Sequence, residues 1–191
     1  MITDDSAATR NFEGGALSGV PLGFRWQMKQ ELSEADRKQI FGWAPDIFGV
    51  GDLPFEWRLK DLHFIAYDGS YAASHVGTVN HLVEVENHNV RVCGVGGVTT
   101  RPEYQGQHLA QALLSRALEW GHGKDGAEFG FLFCFPRLVP FYQRQGWKLL
   151  DTRVTAHQSA GDREIPFSAM TLPLAGNTWP AGNVHLRSLP W

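Results

Sequence analysis

The chain has 191 residues, 43% of them hydrophobic, and 17 Lys plus Arg against 20 Asp plus Glu give a net charge of −3. That balance suits a globular chain with a core of its own; it excludes wholesale disorder, and it lacks the basic footprint of a nucleic-acid or membrane-surface binder. Two cysteines exclude a disulfide scaffold or a Cys-rich zinc module, and no apolar run approaches the roughly 20 residues of a membrane span. The N-terminus shows no basic segment followed by an apolar stretch, so the expected compartment is the cytoplasm.

Residues 1–20, rich in Gly, Ala, Ser, Thr and Asp, read as an N-terminal arm or tail. Leu22 to Gln30 (LGFRWQMKQ) suits a first strand. Ser33 has the chemistry of an N-cap, with Glu34 in the first turn and Asp36 three residues on. Ile40, Phe41, Ala44, Ile47 and Phe48 follow at helical spacing, which predicts a first helix to about Phe48 unless Pro45 shortens it. Gly49 to Trp57 reads as a loop. Leu62 to Tyr67, the turn Asp68-Gly69-Ser70 and the run Tyr71 to Val85 carry a hairpin signal. A second turn at Glu86 to Asn89 leads into a further strand, Val90 to Thr100.

Gln105 to Trp120 is an amphipathic helix with Leu109, Leu113 and Ala117 on one face, predicted to stop in Gly121-His122-Gly123. Phe129 to Phe135 (FGFLFCF) is a short buried strand. Leu138 to Gln145 makes a short helix ended by Gly146, with Pro140 tolerated in its first turn. Strand-like pieces then alternate with polar turns up to a Trp/Pro-rich end. The order predicts a mixed α/β domain with a mostly antiparallel sheet over residues 21–174. Residues 175–191 read as a tail or strand; their tryptophans suit either a packed C-terminal strand or a homodimer contact.

The stretch from Val98 to Ala110 is a strand, a turn opening at Pro102, a small-residue loop and a helix start. Such a junction gathers free backbone N–H groups and the positive end of a helix dipole, a natural site for a pyrophosphate. The segment resembles the acyl-CoA-binding motif of the GNAT superfamily of acetyl-CoA-dependent N-acetyltransferases, Arg/Gln-x-x-Gly-x-Gly/Ala after a strand-Pro-Glu-Tyr lead-in. Gln105 matches the first position and Ala110 the last, while His108 stands where the family has Gly. A right-handed helical residue needs no Gly, so His108 is read with its amide still available. Phe141-Tyr142-Gln143-Arg144-Gln145-Gly146-Trp147 is similar to the superfamily's later Leu-Tyr-x-x-x-Gly-Phe signature. The chain end and the Gly-Trp turn also resemble, more faintly, the aminoglycoside 2′-N-acetyltransferases; those carry a Glu at the position of Gly96.

The resemblance implies acetyl transfer from acetyl-CoA to a primary amine of a small molecule, aminoglycoside-like or otherwise, in a direct ternary complex. It implies that Val98, Thr99 and Thr100 pair with pantetheine, the Val98 amide or a neighbour donating to a carbonyl where charge builds. It places the pyrophosphate on Gln105, Gly106, Gln107, His108, Leu109 and Ala110. It makes Tyr142 the general acid for the departing thiolate. A non-catalytic acyl-CoA-binding sensor is the alternative, fed by His108 and Gly96.

No base is assigned. Glu84 and Glu86 share a face of one predicted strand, as do His75 and His81, and all four read more readily as solvated strand-face groups. The eight histidines form no metal-ligand spacing, so no metal is expected. Cys93 and Cys134 suit buried reduced thiols. Loops Gly49 to Trp57 and Asp151 to Arg163 are expected to frame the acceptor pocket.

Overall fold

The computed structural model describes residues 12–191; of the expected arm, residues 1–11 lie outside the described residues. Strand β1 (Phe12–Ala16) pairs antiparallel with β2 (Phe24–Lys29), in which Phe24, Trp26 and Met28 point inward at period two. Helix α1 (Glu34–Phe41) opens on a reciprocal capping box: Ser33 Oγ accepts from the Asp36 amide and Asp36 Oδ2 from the Ser33 amide, each at 3.1 Å. It ends at Gly42 rather than at Phe48, because Pro45 withholds a donor and disfavours helix at Ala44.

Strands β3 (Leu62–Asp68), β4 (Tyr71–Val85) and β5 (His88–Thr100) form the expected antiparallel meander. Helix α2 (Leu109–Asp125) then crosses to β6 (Phe129–Cys134), which pairs parallel with β5. The helix starts later than Gln105 and runs past the expected stop. A Cβ on Gly121 would lie 2.7 Å from Cys93 Sγ, so that glycine brings the helix close to the sheet instead of ending it. The terminating residue is Gly126 at φ +67, whose amide donates to His122 O at 3.1 Å.

Helix α3 (Val139–Gln143) and β7 (Lys148–Leu149) follow; β7 pairs with β10 (Ser168–Pro173), and β10 with β6. The sheet order is β1-β2-β3-β4-β5-β6-β10-β7. Strands β8 (Val154–Ala156), β9 (Arg163–Glu164) and β11 (Val184–His185) attach at the far end of β4, where β11 pairs with both β4 and β8. This is the anticipated fold class, a mixed and mostly antiparallel sheet flanked by helices.

Helix α2 buries Leu109, Leu113, Leu114 and Ala117 against Cys93 and Leu132 on one face of the sheet. On the other face Val79, Phe131 and Leu186 pack with Trp191. Both cysteines are free and buried, and burial pushes Cys93 up to about 12 and Cys134 up to about 11. Among the described residues no helix is long and apolar enough to cross a membrane. The parallel pairing of β5 with β6 runs from Val92↔Phe129 only to Val95↔Leu132. Beyond that point the two strands part, and the site lies in the gap.

Candidate active site

The parting has a local cause. His75 pairs with Thr99 and Gly77 with Gly96, so two residues of β5, Gly97 and Val98, stand opposite the single residue Val76. That is a β-bulge, and Gly97 occupies it at φ +61, a conformation that costs a glycine nothing. His75 pins the bulge from β4: its Nδ1 lies 2.7 Å from Gly97 O, and its Nε2 lies 2.9 Å from His63 Nδ1. A carbonyl can only accept, so the His75 proton sits on Nδ1, and His63 Nδ1–H donates to His75 Nε2. Desolvation keeps both rings neutral, pushing His75 down to about 3 and His63 down to about 4. Ser74 Oγ, donating to Thr99 O at 3.0 Å, holds the strand beyond the bulge.

Past the strand end, Arg101 ties the chain to α1 by donating to Gln39 O at 2.8 Å, and a 3-10 turn spans Pro102–Tyr104. Gly106 turns the loop at φ +77. Among the described residues the Gly106, Gln107 and His108 amides find no backbone acceptor, and Leu109 to Gln111 present the free amides of the first turn of α2. A cleft of about 480 Å³ lies over them. Every residue of the expected acyl-CoA set lines it except Gln107; Tyr104, Gln111, Leu138, Phe141 and Tyr142 complete it. The conformation expected of His108 is corrected: it sits at φ +61, ψ +13, in the left-handed region, as the N-cap of α2. A side chain there costs roughly 1 kcal/mol against glycine.

A second cleft, about 420 Å³, opens on the far side of Val98 and shares Val98, Leu138 and Tyr142 with the first. Its walls include the aromatic rings of Phe48, Trp57, Phe135, Phe167 and Trp191. The expected loop Gly49 to Trp57 contributes Val50 and Trp57, but the other expected loop, Asp151 to Arg163, does not line the cleft. It braces the first from behind: Gln158 Oε1 accepts from the Glu56 amide at 2.7 Å, and Arg163 donates to Pro54 O at 2.7 Å. Lys60 and Arg137 are the charged side chains of this cleft. Desolvation, with Arg58 nearby, pushes the Lys60 ammonium down to about 8.

Tyr142 stands where the clefts meet, 5% exposed, its ring edge-on to Phe141 at 5.0 Å and to Trp147 at 5.9 Å. Burial holds its phenol well above the ordinary tyrosine range, so the hydroxyl keeps its proton. The other groups weighed from sequence are elsewhere. Glu84 pairs with Arg187 beside β11. Glu86 is off the strand, at φ +50 in the turn, accepting from the Asn183 amide at 2.9 Å. His81 is engaged by Leu186 O at 2.7 Å, and His75 is the bulge anchor rather than a solvated base. Among the described residues no three His, Cys, Asp or Glu side chains group to hold a metal.

A family model described as an acetyltransferase (GNAT) domain matches residues 31–150. Among solved structures, an acyl-CoA N-acyltransferase from Pseudomonas aeruginosa is 18% identical with a TM-score of 0.54, over 78% of this chain and 98% of that one. A GNAT family N-acetyltransferase from Escherichia coli in complex with CoA is 19% identical with a TM-score of 0.50, over 67% of this chain and 68% of that one. Against a GCN5-related N-acetyltransferase from Kribbella flavida, 20% identical with a TM-score of 0.42, the match covers 46% of this chain and spans only 21% of that one. At these identities the first two speak for the fold alone. No curated protein matches the chain.

Proposed function

Since the chain belongs to the acetyltransferase (GNAT) domain family and is an acyltransferase, we propose that it moves an acetyl group from acetyl-CoA to a primary amine of a small molecule by direct attack. The observation that carries this reading is the pair of clefts joined at Val98 and Tyr142, one lined by free amides and the other by apolar side chains.

The first cleft fits the proposed co-substrate. A Cβ on Gly106 would meet nothing within 4 Å, so the loop leaves room above its donors, and the amides from Gly106 to Gln111 point a preorganised positive field at a pyrophosphate. Val98 to Thr100, released from β6 by the bulge, offer pantetheine an unpaired strand edge. Bound acetyl-CoA supplies the activated thioester. The Val98 amide then donates to the oxygen on which negative charge builds. Lys60 and Arg137 lower the pKa of an ammonium entering the second cleft and so favour the free amine that must attack. The C–N bond forms as the C–S bond breaks; Tyr142 donates its proton to the leaving sulfur, and the proton shed by the acylated nitrogen restores the phenol. Burial makes the phenol a weaker acid, yet the same surroundings push the nearby Cys134 thiol up to about 11. A thiolate released there is more basic as well, so the two shifts partly offset each other.

Thiol release with acetyl-CoA and a panel of amines tests the reading. Tyr142→Phe should lower kcat by about 10²- to 10⁴-fold, equally in kcat/KM, with acetyl-CoA KM nearly unchanged. Stabilisation by CoA without release for any amine would leave an acyl-CoA-binding module instead.

A further inference from the structure

The Gly97–Val98 peptide stands outside the ladder between β4 and β5. It follows a glycine at φ +61, in the bulge where neither Gly97 nor Val98 has a register partner on β4. A peptide so placed turns over easily, and its direction has to be set from another element. His75 sets it. Its Nδ1–H donates to Gly97 O at 2.7 Å, and a Cβ on Gly97 would lie 3.4 Å from its Cε1, so the ring lies against the bulge itself. The ring has little freedom of its own. It is 1% exposed and stands edge-on to Phe41, with ring centroids 5.1 Å apart. At Nε2 it accepts from His63 Nδ1–H, 2.9 Å away, which fixes the tautomer that keeps a proton on Nδ1.

In a trans peptide the C=O and N–H bonds point in opposite directions, and the described chain has no cis bond. With Gly97 O turned to His75 on β4, the Val98 N–H is turned away from β4. That is the side on which β5 has parted from β6 and where the two clefts share Val98 and Tyr142. A carbonyl already engaged as an acceptor also polarises its peptide, which strengthens the N–H as a donor. Ser74 repeats the arrangement one step on: its Oγ donates to Thr99 O at 3.0 Å, which turns the Thr100 N–H outward too. We propose that His75 is a positioning residue for acyl transfer, fixing the Gly97–Val98 peptide so that the Val98 N–H faces the acyl carbonyl of the donor. This rests on the transferase reading above and adds to it a residue of β4, outside both motifs, with His63 of β3 behind it.

The test compares H75N, which keeps a donor near the position of Nδ1, with H75L, which fills the space without one. CoA-dependent thermal stabilisation checks that each variant is folded. With acetyl-CoA and the most active amine of the panel, H75L should lose about 10²-fold in kcat and equally in kcat/KM. Its acetyl-CoA KM should stay within about threefold of the natural chain, because the donor is missed only where charge builds. H75N should recover kcat to within about tenfold of the natural value. An unchanged kcat in H75L, or equal losses in H75L and H75N, overturns the proposal while thiol release by the natural chain keeps the transferase reading. A second readout needs no turnover. In ¹⁵N-labelled protein, an analogue of acetyl-CoA with an amide in place of the thioester should move the Val98 amide proton downfield relative to CoA, in the natural chain and H75N but not in H75L. That pattern with no thiol release from any amine would sink the transferase reading and keep His75 as the residue that aims the donor. If H75L does not fold, the natural chain decides: a Val98 amide that the analogue leaves where CoA leaves it overturns the proposal.

Discussion

The paired histidines under the bulge make stability depend on pH in a direction and by an amount that follow from burial. His75 is 1% exposed and His63 9% exposed, and desolvation pushes their imidazoles down to about 3 and about 4 from an ordinary 6.5. Above pH 6.5 neither state takes up protons at these rings, and the pair's full contribution is present. As the pH falls below 6.5, the unfolded chain binds protons that the folded pair refuses, so stability is lost progressively toward pH 4. Between about pH 7.5 and pH 5.5 each histidine withdraws about 1.4 kcal/mol, and the pair about 3 kcal/mol. For a domain of this size that is about 6–12 °C in Tm. Carboxylates contribute their own acid dependence, so the measurement is a difference: thermal unfolding of the natural chain and of H63Q/H75Q at both pH values. The double variant should lose about 6–12 °C less over the interval. Equal losses would refute the neutral buried pair. If the double variant fails to fold, imidazole ¹⁵N shifts of the natural protein at pH 5.5 decide the matter: both rings must be neutral, with the His75 proton on Nδ1.

Gly106→Val forces a β-branched residue to φ +77, and the reshaped loop should raise the apparent acetyl-CoA KM tenfold or more in a protein that remains folded. His108→Gly relieves the left-handed side chain and should raise stability by roughly 1 kcal/mol in urea unfolding, with CoA affinity equal or tighter; weaker affinity would show that the imidazole itself contacts phosphate. In a C134S background, Cys93, buried under α2 with its thiol pushed up to about 12, should react with a thiol reagent at neutral pH only as fast as the domain opens. Fast labelling of that folded variant would contradict that burial.

What was legible in the sequence is what short segments decide by themselves. Ser33 and Asp36 close a capping box within four residues, Asp68-Gly69-Ser70 turns a hairpin whose strands need only each other, and the junction from Val98 to Ala110 gathers its own amides. The cleft proposed for acyl-CoA is mostly such a local object, so a motif names its residues. The structure departs from that local reading at Gln107, which does not line the cleft, and in the conformation of His108. The polar loop from Gln105 to His108 precedes the first buried helical residue, Leu109, and composition alone does not distinguish a right-handed start from a left-handed N-cap. Helix α2 was ended too early for a different reason, since Gly121 answers to Cys93 on another element and not to its own neighbours.

The cleft proposed for the acceptor has the opposite construction. The anchor of the bulge joins His63, His75 and Gly97 from three strands, and no periodicity in any of them marks the contact. Lys60 lies in a segment without helix or strand, and what makes it a cleft residue is the absence of side chains at Gly77 and Gly96, distant in sequence from it and from each other. Trp191 closes the wall from the far end of the described chain by packing on Phe131 and Phe133, with ring centroids at 5.9 and 5.8 Å. A surface assembled from such distant pieces can change one piece at a time, Lys60 or Phe167, without disturbing the strand-turn-helix proposed to hold the donor. The part of the site that a motif reveals is therefore the part proposed for acetyl-CoA, and the part proposed for the amine becomes visible only once the strands are paired.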